Sequence, residues 1–563
     1  MTRISGAIKP VVIVGAGPVG LCAALHLDRL QIPFIVYEED AHLSTAAKAG
    51  TITPRTLEIF ARVGALDDVL KDGLRFDVVD FVERRQDRVL MQLRMSELRS
   101  ETAYPFALNL PQSDTERILY TRVTEGVYGE VKFGHKVVGL TQNDQGCCLA
   151  VETPDGMISV ETPYVLACDG GRSPIRGMLG IEPTGVTYPE KFMLVDVHVD
   201  LDEGPGRRPT YLSYVFDPEE WLIIVRQPDF WRILWPIPSE APEPDEAEIE
   251  RKLQLAVGHR PFQVIGAVSY KVHHRVAERF CQGRVFLLGD AAHLITPVGG
   301  LGLNTGIQDA SNLAWKIAWV LKGRADPALL ETYEKERRPI AAYIASGIAD
   351  RNRSTMMMRN PVQRAIRDVV LRLIRHSPPH RWSTAYTRSL LATSYKPVSK
   401  RHPLEKALRT IVPQAHPPAR VGDRAPNGLL FGPQGESLWL HDLFGFAFVA
   451  LTFDDVRNHP AIEPLPQSPY LRHYLISWFD APVDSGLRDR TFYDPGDRLR
   501  KRFGAERGTT YLVRPDDHIA AIEAAGGRPV RQIYEAVVGQ LPERSSVEAY
   551  PEQERAVAFA QSP

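Results

Sequence analysis

Four apolar residues, Val11-Val12-Ile13-Val14, run directly into Gly15-Ala16-Gly17-Pro18-Val19-Gly20. A continuous β-branched run of this kind reads as a parallel strand buried on both faces. Residues 21–30 then read as a helix and Phe34-Ile35-Val36-Tyr37 as a second strand, which completes a βαβ unit. Gly15 permits the tight turn, Gly17 lets backbone approach a pyrophosphate, and Gly20 allows close helix–strand packing, with the helix N-terminus facing the phosphate charge. Glu38 lies 18 residues beyond Gly20, at the end of the second strand, where it can accept hydrogen bonds from an adenosine ribose. GxGxxG alone is a weak signal. With strand, helix and acidic residue in register it predicts dinucleotide binding by Gly15, Gly17, Pro18, Gly20 and Glu38.

The same stretch superficially resembles a secretory signal or a short membrane span, since Arg3 and Lys9 precede the apolar residues 11–27. Gly15, Gly17, Pro18, Gly20 and His26 interrupt the run, and the βαβ unit explains it better. The apolar fraction of 44% and charged fraction of 24% are those of a soluble globular protein. A formal net charge of −2 gives no reason to expect nucleic acid or an anionic membrane as partner. The five cysteines, Cys22, Cys147, Cys148, Cys168 and Cys281, form neither CxxC pairs nor a disulfide-like framework. No metal site is expected, and the cytoplasm is the simplest location.

A length of 563 residues allows three or four domains of roughly 150 residues each. Residues 56–70 read as one helix with Leu57, Phe60 and Val63 on a face, and strands are expected near 131–140, 148–151 and 164–167. Between 192 and 235 the period becomes two, and the aromatic, β-rich segments 211–216, 222–226 and 230–235 predict an antiparallel sheet inserted into the first domain. A helix over 245–257 and a buried strand over 285–288 follow, then helices over 307–322 and 327–348. Residues 351–400 are basic and helical in part. From Pro417 a new α/β unit starts, with strands over 446–452, 474–478 and 509–513, and the tail beyond Tyr550 is polar and expected to be disordered.

Two further motifs narrow the dinucleotide. Cys168-Asp169-Gly170-Gly171-Arg172-Ser173-Pro174-Ile175-Arg176 follows one expected strand, and Gly289-Asp290-Ala291-Ala292-His293 follows another. With them the chain resembles the FAD-dependent aromatic hydroxylases of the para-hydroxybenzoate and phenol hydroxylase type, the group A flavoprotein monooxygenases. Those enzymes carry GxGxxG, DG and GD motifs in this order. The resemblance continues through Pro297-Val298-Gly299-Gly300-Leu301-Gly302-Leu303-Asn304-Thr305-Gly306, Gln308-Asp309-Ala310, Asn312-Leu313-Ala314-Trp315-Lys316 and Tyr333-Glu334-Lys335-Glu336-Arg337-Arg338-Pro339. It covers residues 10–345, and over 289–339 it is greatest to the 3-(3-hydroxyphenyl)propionate hydroxylases.

The resemblance implies FAD as cofactor, NADH or NADPH as reductant, and O2 whose oxygen reaches a phenol ring by way of a C4a-hydroperoxyflavin. It implies that Asp290, after Gly289, binds the ribityl or ribose side of the FAD pyrophosphate. The backbone through Gly300, Leu301, Gly302, Leu303 and Asn304 would lie along the isoalloxazine edge, its N–H groups and helix dipole stabilising anionic reduced flavin. Asp169 and Arg176 resemble the DG residues associated with FAD and the nicotinamide donor. Lys48 stands where many relatives have arginine; it keeps the charge and loses the bidentate fork, and Arg55 is near enough to substitute. Gln112 resembles a family glutamine that contacts FAD.

The flavin carries the hard chemistry, so the protein must exclude water, position the ring and help deprotonate the phenol. For that help the inserted sheet offers Tyr211, Tyr214, Arg226 and Trp235, and the segment before the GD motif offers His273, His274 and Arg275. Tyr211, Arg226 and His274 are the catalytic candidates, with Pro297 shaping the loop beside the substrate. Ile233-Leu234-Trp235-Pro236-Ile237-Pro238 partly matches the WxWxIP of flavin halogenases without its first tryptophan, and the match around Asn304 and Asp309 favours a hydroxylase.

The C-terminal region resembles the thioredoxin-like domain of phenol hydroxylase relatives through Gly422-Asp423-Arg424-Ala425-Pro426-Asn427, Leu443-Phe444-Gly445 and Thr510-Tyr511-Leu512-Val513-Arg514-Pro515-Asp516. No cysteine follows Cys281, which leaves packing or subunit assembly as its role. The expected fold is α/β: an FAD-binding Rossmann-like domain (1–75, 100–185, 271–345), an inserted antiparallel β-sheet substrate domain (76–99, 186–270), a helical connection (346–414), a thioredoxin-like C-terminal domain (415–545) and a tail (546–563). The expected function is hydroxylation of a substituted phenol, hydroxyphenylpropionate or catechol-type compound in aromatic degradation. A polycyclic or polyketide ring, oxidative loss of a ring nitro or halide group, a non-catalytic flavin-binding role and a homodimer stay open.

Overall fold

The strand Val11–Val14 lies inside a six-stranded sheet of order Cys281–Gln282, Val285–Leu287, Val165–Ala167, Val11–Val14, Phe34–Tyr37 and Gly129–Lys132. Its strands are parallel from Val285–Leu287 onward, and only the edge hairpin Cys281–Gln282 is antiparallel. All four residues of Val11–Val14 are buried, as a strand covered on both faces requires. The structure, a computed structural model, describes residues 8–44, 50–202, 208–258, 260–395, 418–455, 468–479 and 487–539. Lys48 and the tail 546–563 lie outside the described residues, as does the end of the expected helical connection.

Two expected elements are divided. The helix read over 56–70 becomes Pro54–Val63 and Leu66–Asp72, because the chain turns at left-handed Gly64. The strand read over 131–140 becomes Gly129–Lys132 and Lys136–Gln142. The second part leaves the parallel sheet and pairs with Cys147–Thr153, which also pairs with Gly156–Thr162.

An eight-stranded sheet of mixed direction forms the inserted unit, in the order His293–Leu294, Phe262–Ala277, Pro183–Val199, Trp231–Pro238, Leu222–Arg226, Leu212–Phe216, Val78–Glu83 and Arg88–Arg94. Leu212–Phe216 and Val78–Glu83 are parallel, whereas the other neighbours run antiparallel. The 16-residue strand Phe262–Ala277 was not read in the sequence: few of its residues are buried, and Ile265 and Ala267 interrupt the alternation of Phe262, Val264, Val268, Tyr270 and Val272. Two apolar clusters cover the sheet. One contains Leu212, Tyr214, Ile223, Val225 and Leu234, and the other Val215, Leu222, Ile224, Trp231 and Ile233.

A seven-stranded sheet ends the fold, ordered Ser437–Trp439, Leu429–Phe431, Thr491–Tyr493, Leu471–Ser477, Phe448–Phe453, Thr509–Val513 and Ile519–Glu523. It is mounted on the helix Leu301–Leu321: Trp315 and Trp319 pack edge-on against Phe448 at 5.4 and 6.0 Å, and the Trp319 indole donates to the Tyr534 hydroxyl at 3.0 Å. Beside them Glu336 accepts from Lys316 (2.7 Å), Asn312 (2.8 Å) and Arg514 (2.5 and 2.9 Å), across the seam between the two units. Burial by itself would raise the Glu336 carboxyl, but the charges of Arg514 and Lys316 outweigh it and hold the group down at about 2.

A depressed carboxylate contributes stability above its unfolded value and loses it as pH falls through the folded one. Between the ordinary 4.5 and about 2 this group should cost the fold about 3 kcal/mol. Thermal unfolding across that range is expected to fall more steeply for the natural protein than for Glu336→Gln. Parallel curves would rule the seam out as an acid-sensitive joint.

Candidate active site

A cavity of about 750 Å³ runs from the glycine turn after Val11–Val14 to one face of the eight-stranded sheet. Its first wall is the turn itself. Gly15 has φ 104°, and a Cβ there would stand 2.4 Å from the Cys168 carbonyl oxygen. A Cβ on Gly20 would come within 2.0 Å of the Gly15 carbonyl oxygen, so the helix Pro18–Arg29 can start this close only without side chains at both positions. Gly17 is different: nothing lies within 4 Å of its Cβ position, and it lines the cavity with Gly15, Ala16 and Pro18. Glu38 reaches back from the end of Phe34–Tyr37, and its carboxylate accepts from the backbone N–H of Ala16 (2.7 Å) and Asp40 (3.0 Å).

Asp169 and Asp290 line the same cavity. The Asp169 carboxylate accepts from the Ser173 hydroxyl (2.6 Å) and the Ile175 N–H (3.0 Å), while burial raises it above the usual value. Arg176 does not line the cavity. It donates to the carbonyls of Gly171 and Ala291, both at 2.9 Å, and so ties the DG turn to the GD turn. Gln112 lines the wall and donates to Glu116 at 2.8 Å. Arg55, which could have replaced Lys48, is instead buried and paired with Glu58 (2.9 Å) and Asp517 (2.7 Å) of the C-terminal unit.

The helix Leu301–Leu321 begins at Gly300, whose φ of 65° together with Gly299 turns the chain so that Pro297, Gly300, Leu301, Gly302 and Leu303 border the cavity. Asn304 faces away from it, a correction to its expected place on the flavin edge. Its side-chain oxygen accepts from the Thr53 N–H (2.9 Å), the Thr53 hydroxyl (3.1 Å) and the Thr56 hydroxyl (2.7 Å), and its amide donates to Thr51 (2.9 Å) and Gly300 (2.6 Å) carbonyls. It fixes the loop from behind. One turn further on, Asp309 accepts from the Gly289 N–H (3.1 Å), His293 Nε2 (2.7 Å) and Arg337 Nε (2.7 Å), which anchors the GD turn to the helix.

The far wall belongs to the sheet, and strand alternation decides which residues reach it. Leu212, Tyr214, Ile223, Val225, Arg232, Leu234 and Tyr270 line the cavity. Tyr211 and Arg226 fall on the opposite face, where they pack against Trp231 at 6.5 and 5.3 Å, so the expected catalytic role passes from them. His274 also misses the cavity; its Nδ1 is 3.3 Å from the Tyr188 hydroxyl, which donates to Asp350. His273 does line it, and Trp235 is buried on the other face.

Tyr214 is raised above the usual tyrosine value by burial, against the pull of the Arg388 guanidinium. Arg388, at the end of the helix Pro378–Arg388, donates to the Asn352 side-chain oxygen Oδ1 at 2.7 Å. Burial pushes Tyr270 up to about 12. Arg232 pairs with Asp196 through two hydrogen bonds of 2.8 and 2.9 Å. Sequence reasoning missed Gln227, Arg232, Tyr270 and Arg388 as site residues. Alternation with Leu234 on Trp231–Pro238 could have found Arg232, and alternation with Val268 and Val272 could have found Tyr270, whereas no strand pattern marks Arg388.

The wall fits a flavin dinucleotide. Gly17 leaves bare backbone at a helix start for a pyrophosphate, Glu38 stands at the ribose end, and the helix start at Gly300 offers N–H groups to an anionic ring edge. The FAD binding domain family matches residues 9–347. The chain is 31% identical over 370 residues, 64% of its length and 89% of the relative's, to para-nitrophenol 4-monooxygenase of Pseudomonas sp. strain WBC-3. It is 28% identical to a 3-(3-hydroxyphenyl)propionate/3-hydroxycinnamic acid hydroxylase of Mycobacterium sp. strain JLS over 94% of its own length and 92% of the relative's. The solved structure of anhydrotetracycline hydroxylase from Streptomyces rimosus superposes with a TM-score of 0.71 at 28% identity, covering 95% of this chain and 99% of that one. The chain therefore belongs to the FAD binding domain family and is an FAD-dependent aromatic-ring monooxygenase.

Proposed function

We propose that the protein hydroxylates a phenolic ring, of the substituted phenol, hydroxyphenylpropionate or catechol type, with NADH or NADPH as reductant and O2 as co-substrate. The observation that carries this is one continuous cavity joining the glycine cradle to an apolar sheet face that presents Tyr214 and Tyr270. Bound FAD, once reduced, supplies the activated oxygen. Leu212, Ile223, Val225 and Leu234 keep water from the ring. Tyr214 keeps its proton at neutral pH and can donate it in a hydrogen bond to a phenolate oxygen, with the Arg388 charge behind it. That favours the phenolate, the more reactive nucleophile.

The domain division expected from the sequence supports the same reading: a cradle at 1–75, 100–185 and 271–345, a ring-binding sheet at 76–99 and 186–270, and a helical connection over 346–414. The C-terminal sheet, with three parallel central strands flanked by antiparallel ones, supports a thioredoxin-like unit over 415–545 whose role is packing. We place the protein in the cytoplasm, possessing free cysteines and no described helix long and apolar enough to cross a membrane. A homodimer is compatible with this reading.

A second reading has its own support. The likeness to anhydrotetracycline hydroxylase runs the length of the chain, and exposed Val268 and Lys271 at the cavity's edge leave room for a polycyclic ring. The likeness to a para-nitrophenol enzyme adds loss of a ring nitro group as a variant of the same step. The test is a panel of simple, nitro-substituted and polycyclic phenols scored for stimulated NAD(P)H oxidation, product mass and nitrite. At least about tenfold stimulation with one added oxygen is expected for the true substrate, and Tyr214→Phe should lower kcat about 100-fold. Oxidation that no phenol stimulates would leave a flavin-binding protein without this activity.

A further inference from the structure

Gln227 follows the strand Leu222–Arg226 on the cavity face, two positions beyond Val225 and four beyond Ile223. It has no solvent exposure, and among the described residues neither its amide oxygen nor its amide nitrogen has a hydrogen-bond partner. Both ends are bare, so turning the amide over changes nothing. A fully buried amide with neither end satisfied is rare, because each end forfeits the hydrogen bonds it made in water. The neighbouring backbone is shaped around it. A Cβ on Gly50 would stand 2.9 Å from the amide nitrogen and 3.1 Å from the oxygen, so a side chain at position 50 would press on the amide. Thr51 and Gly300 share this part of the wall, where the sheet's apolar chamber meets the cofactor cradle.

The charges around the cavity limit what the amide can recognise. Among the described residues, the lysines and arginines that line the cavity are Lys136, Arg232 and Lys271. Lys136 pairs with Glu39 at 3.1 Å, Arg232 is held bidentately by Asp196, and Lys271 is exposed. A carboxylate brought to Gln227 accepts from the amide N–H but has no proton to give the amide oxygen, which stays unsatisfied and faces like charge.

We infer that Gln227 is the specificity-determining residue of the ring pocket: its amide donates to and accepts from an uncharged polar ring substituent, a hydroxyl or carboxamide, and selects neutral phenols over aryl carboxylates. This rests on the phenol-hydroxylase reading above. The matched probes are para-hydroxybenzamide and para-hydroxybenzoate, titrated into the FAD-loaded protein without reductant while the flavin spectrum is followed. The benzamide should bind at least about tenfold more tightly, since only it satisfies both ends of the amide. Gln227→Leu should erase that preference and leave FAD affinity unchanged, and Gln227→Arg should invert it.

Equal affinities in the natural protein would overturn the assignment. So would a Gln227→Leu protein that loses FAD affinity and keeps its benzamide preference, which would give the amide to the flavin. If that variant does not fold, the isosteric Gln227→Glu decides: weaker benzamide binding at equal FAD content supports the assignment, and unchanged binding overturns it. Phenols that stimulate NAD(P)H oxidation with no effect of either substitution would overturn this inference alone. A protein that binds no phenol at all would remove the underlying reading with it.

Discussion

Gly17→Ala and Gly20→Val are both expected to yield protein without flavin colour, and for opposite reasons. Gly17 has φ −69° and ψ 176°, a conformation alanine adopts without strain, and its Cβ would meet no protein atom within 4 Å. The variant should therefore fold with an unchanged melting temperature. The added methyl group instead occupies cavity space that a pyrophosphate needs for close backbone approach. FAD affinity should fall by at least about 100-fold, equivalent to about 3 kcal/mol. Gly20→Val also drives atoms into the Gly15 carbonyl, 2.0 Å from the Cβ position, and must push the helix Pro18–Arg29 off the sheet. It should lose FAD and stability together. Equilibrium dialysis for FAD and thermal unfolding of the apoprotein separate the two effects. If Gly17→Ala retained FAD at the natural affinity, the cradle would lie elsewhere in the cavity.

The cradle was legible in the sequence because local rules write it. Glycine spacing, a buried four-residue strand and an acidic residue at the next strand end each constrain a few adjacent positions, and they agree. The ring pocket was not legible because it is assembled from strands distant in sequence, Leu212–Phe216, Leu222–Arg226, Trp231–Pro238 and Phe262–Ala277. Tyr211 and Arg226 each stand one position from a cavity-lining residue, Leu212 and Val225, and one residue is enough to move a strand side chain to the other face. Arg388 and Gln227 could not have been found this way. One arrives from a helix more than 170 positions after Tyr214, and the other stands out only through partners it lacks. Motif position also misled at Asn304. Its place in the glycine-rich loop suggested backbone along the flavin edge, whereas Asn304 does not border the cavity and five hydrogen bonds inside the protein use its whole side-chain amide.

Asp309→Ala should be among the most damaging single changes in the cofactor half, although its side chain touches no part of the cavity wall. Its carboxylate is fully buried, and burial would raise it. The Arg337 charge, with His293 beside it, outweighs burial and holds the group below the usual carboxylate range. Removing the carboxylate strands the Arg337 guanidinium, itself without exposure and left with the Thr305 carbonyl at 3.0 Å. An uncompensated buried charge of this kind costs about 3–5 kcal/mol. The Gly289 N–H and His293 lose their acceptor in the same step, so the turn that presents Asp290 to the cavity loosens. A melting temperature lower by roughly 10 °C and weaker FAD binding are both expected. The sharper test is Asp309→Asn combined with Arg337→Met. If the cost comes from the stranded charge, the double variant should be more stable than Asp309→Asn alone, because an apolar replacement of similar volume removes the charge along with its partner. Additive losses in that cycle would mean that Asp309 acts through packing and not through the ion pair.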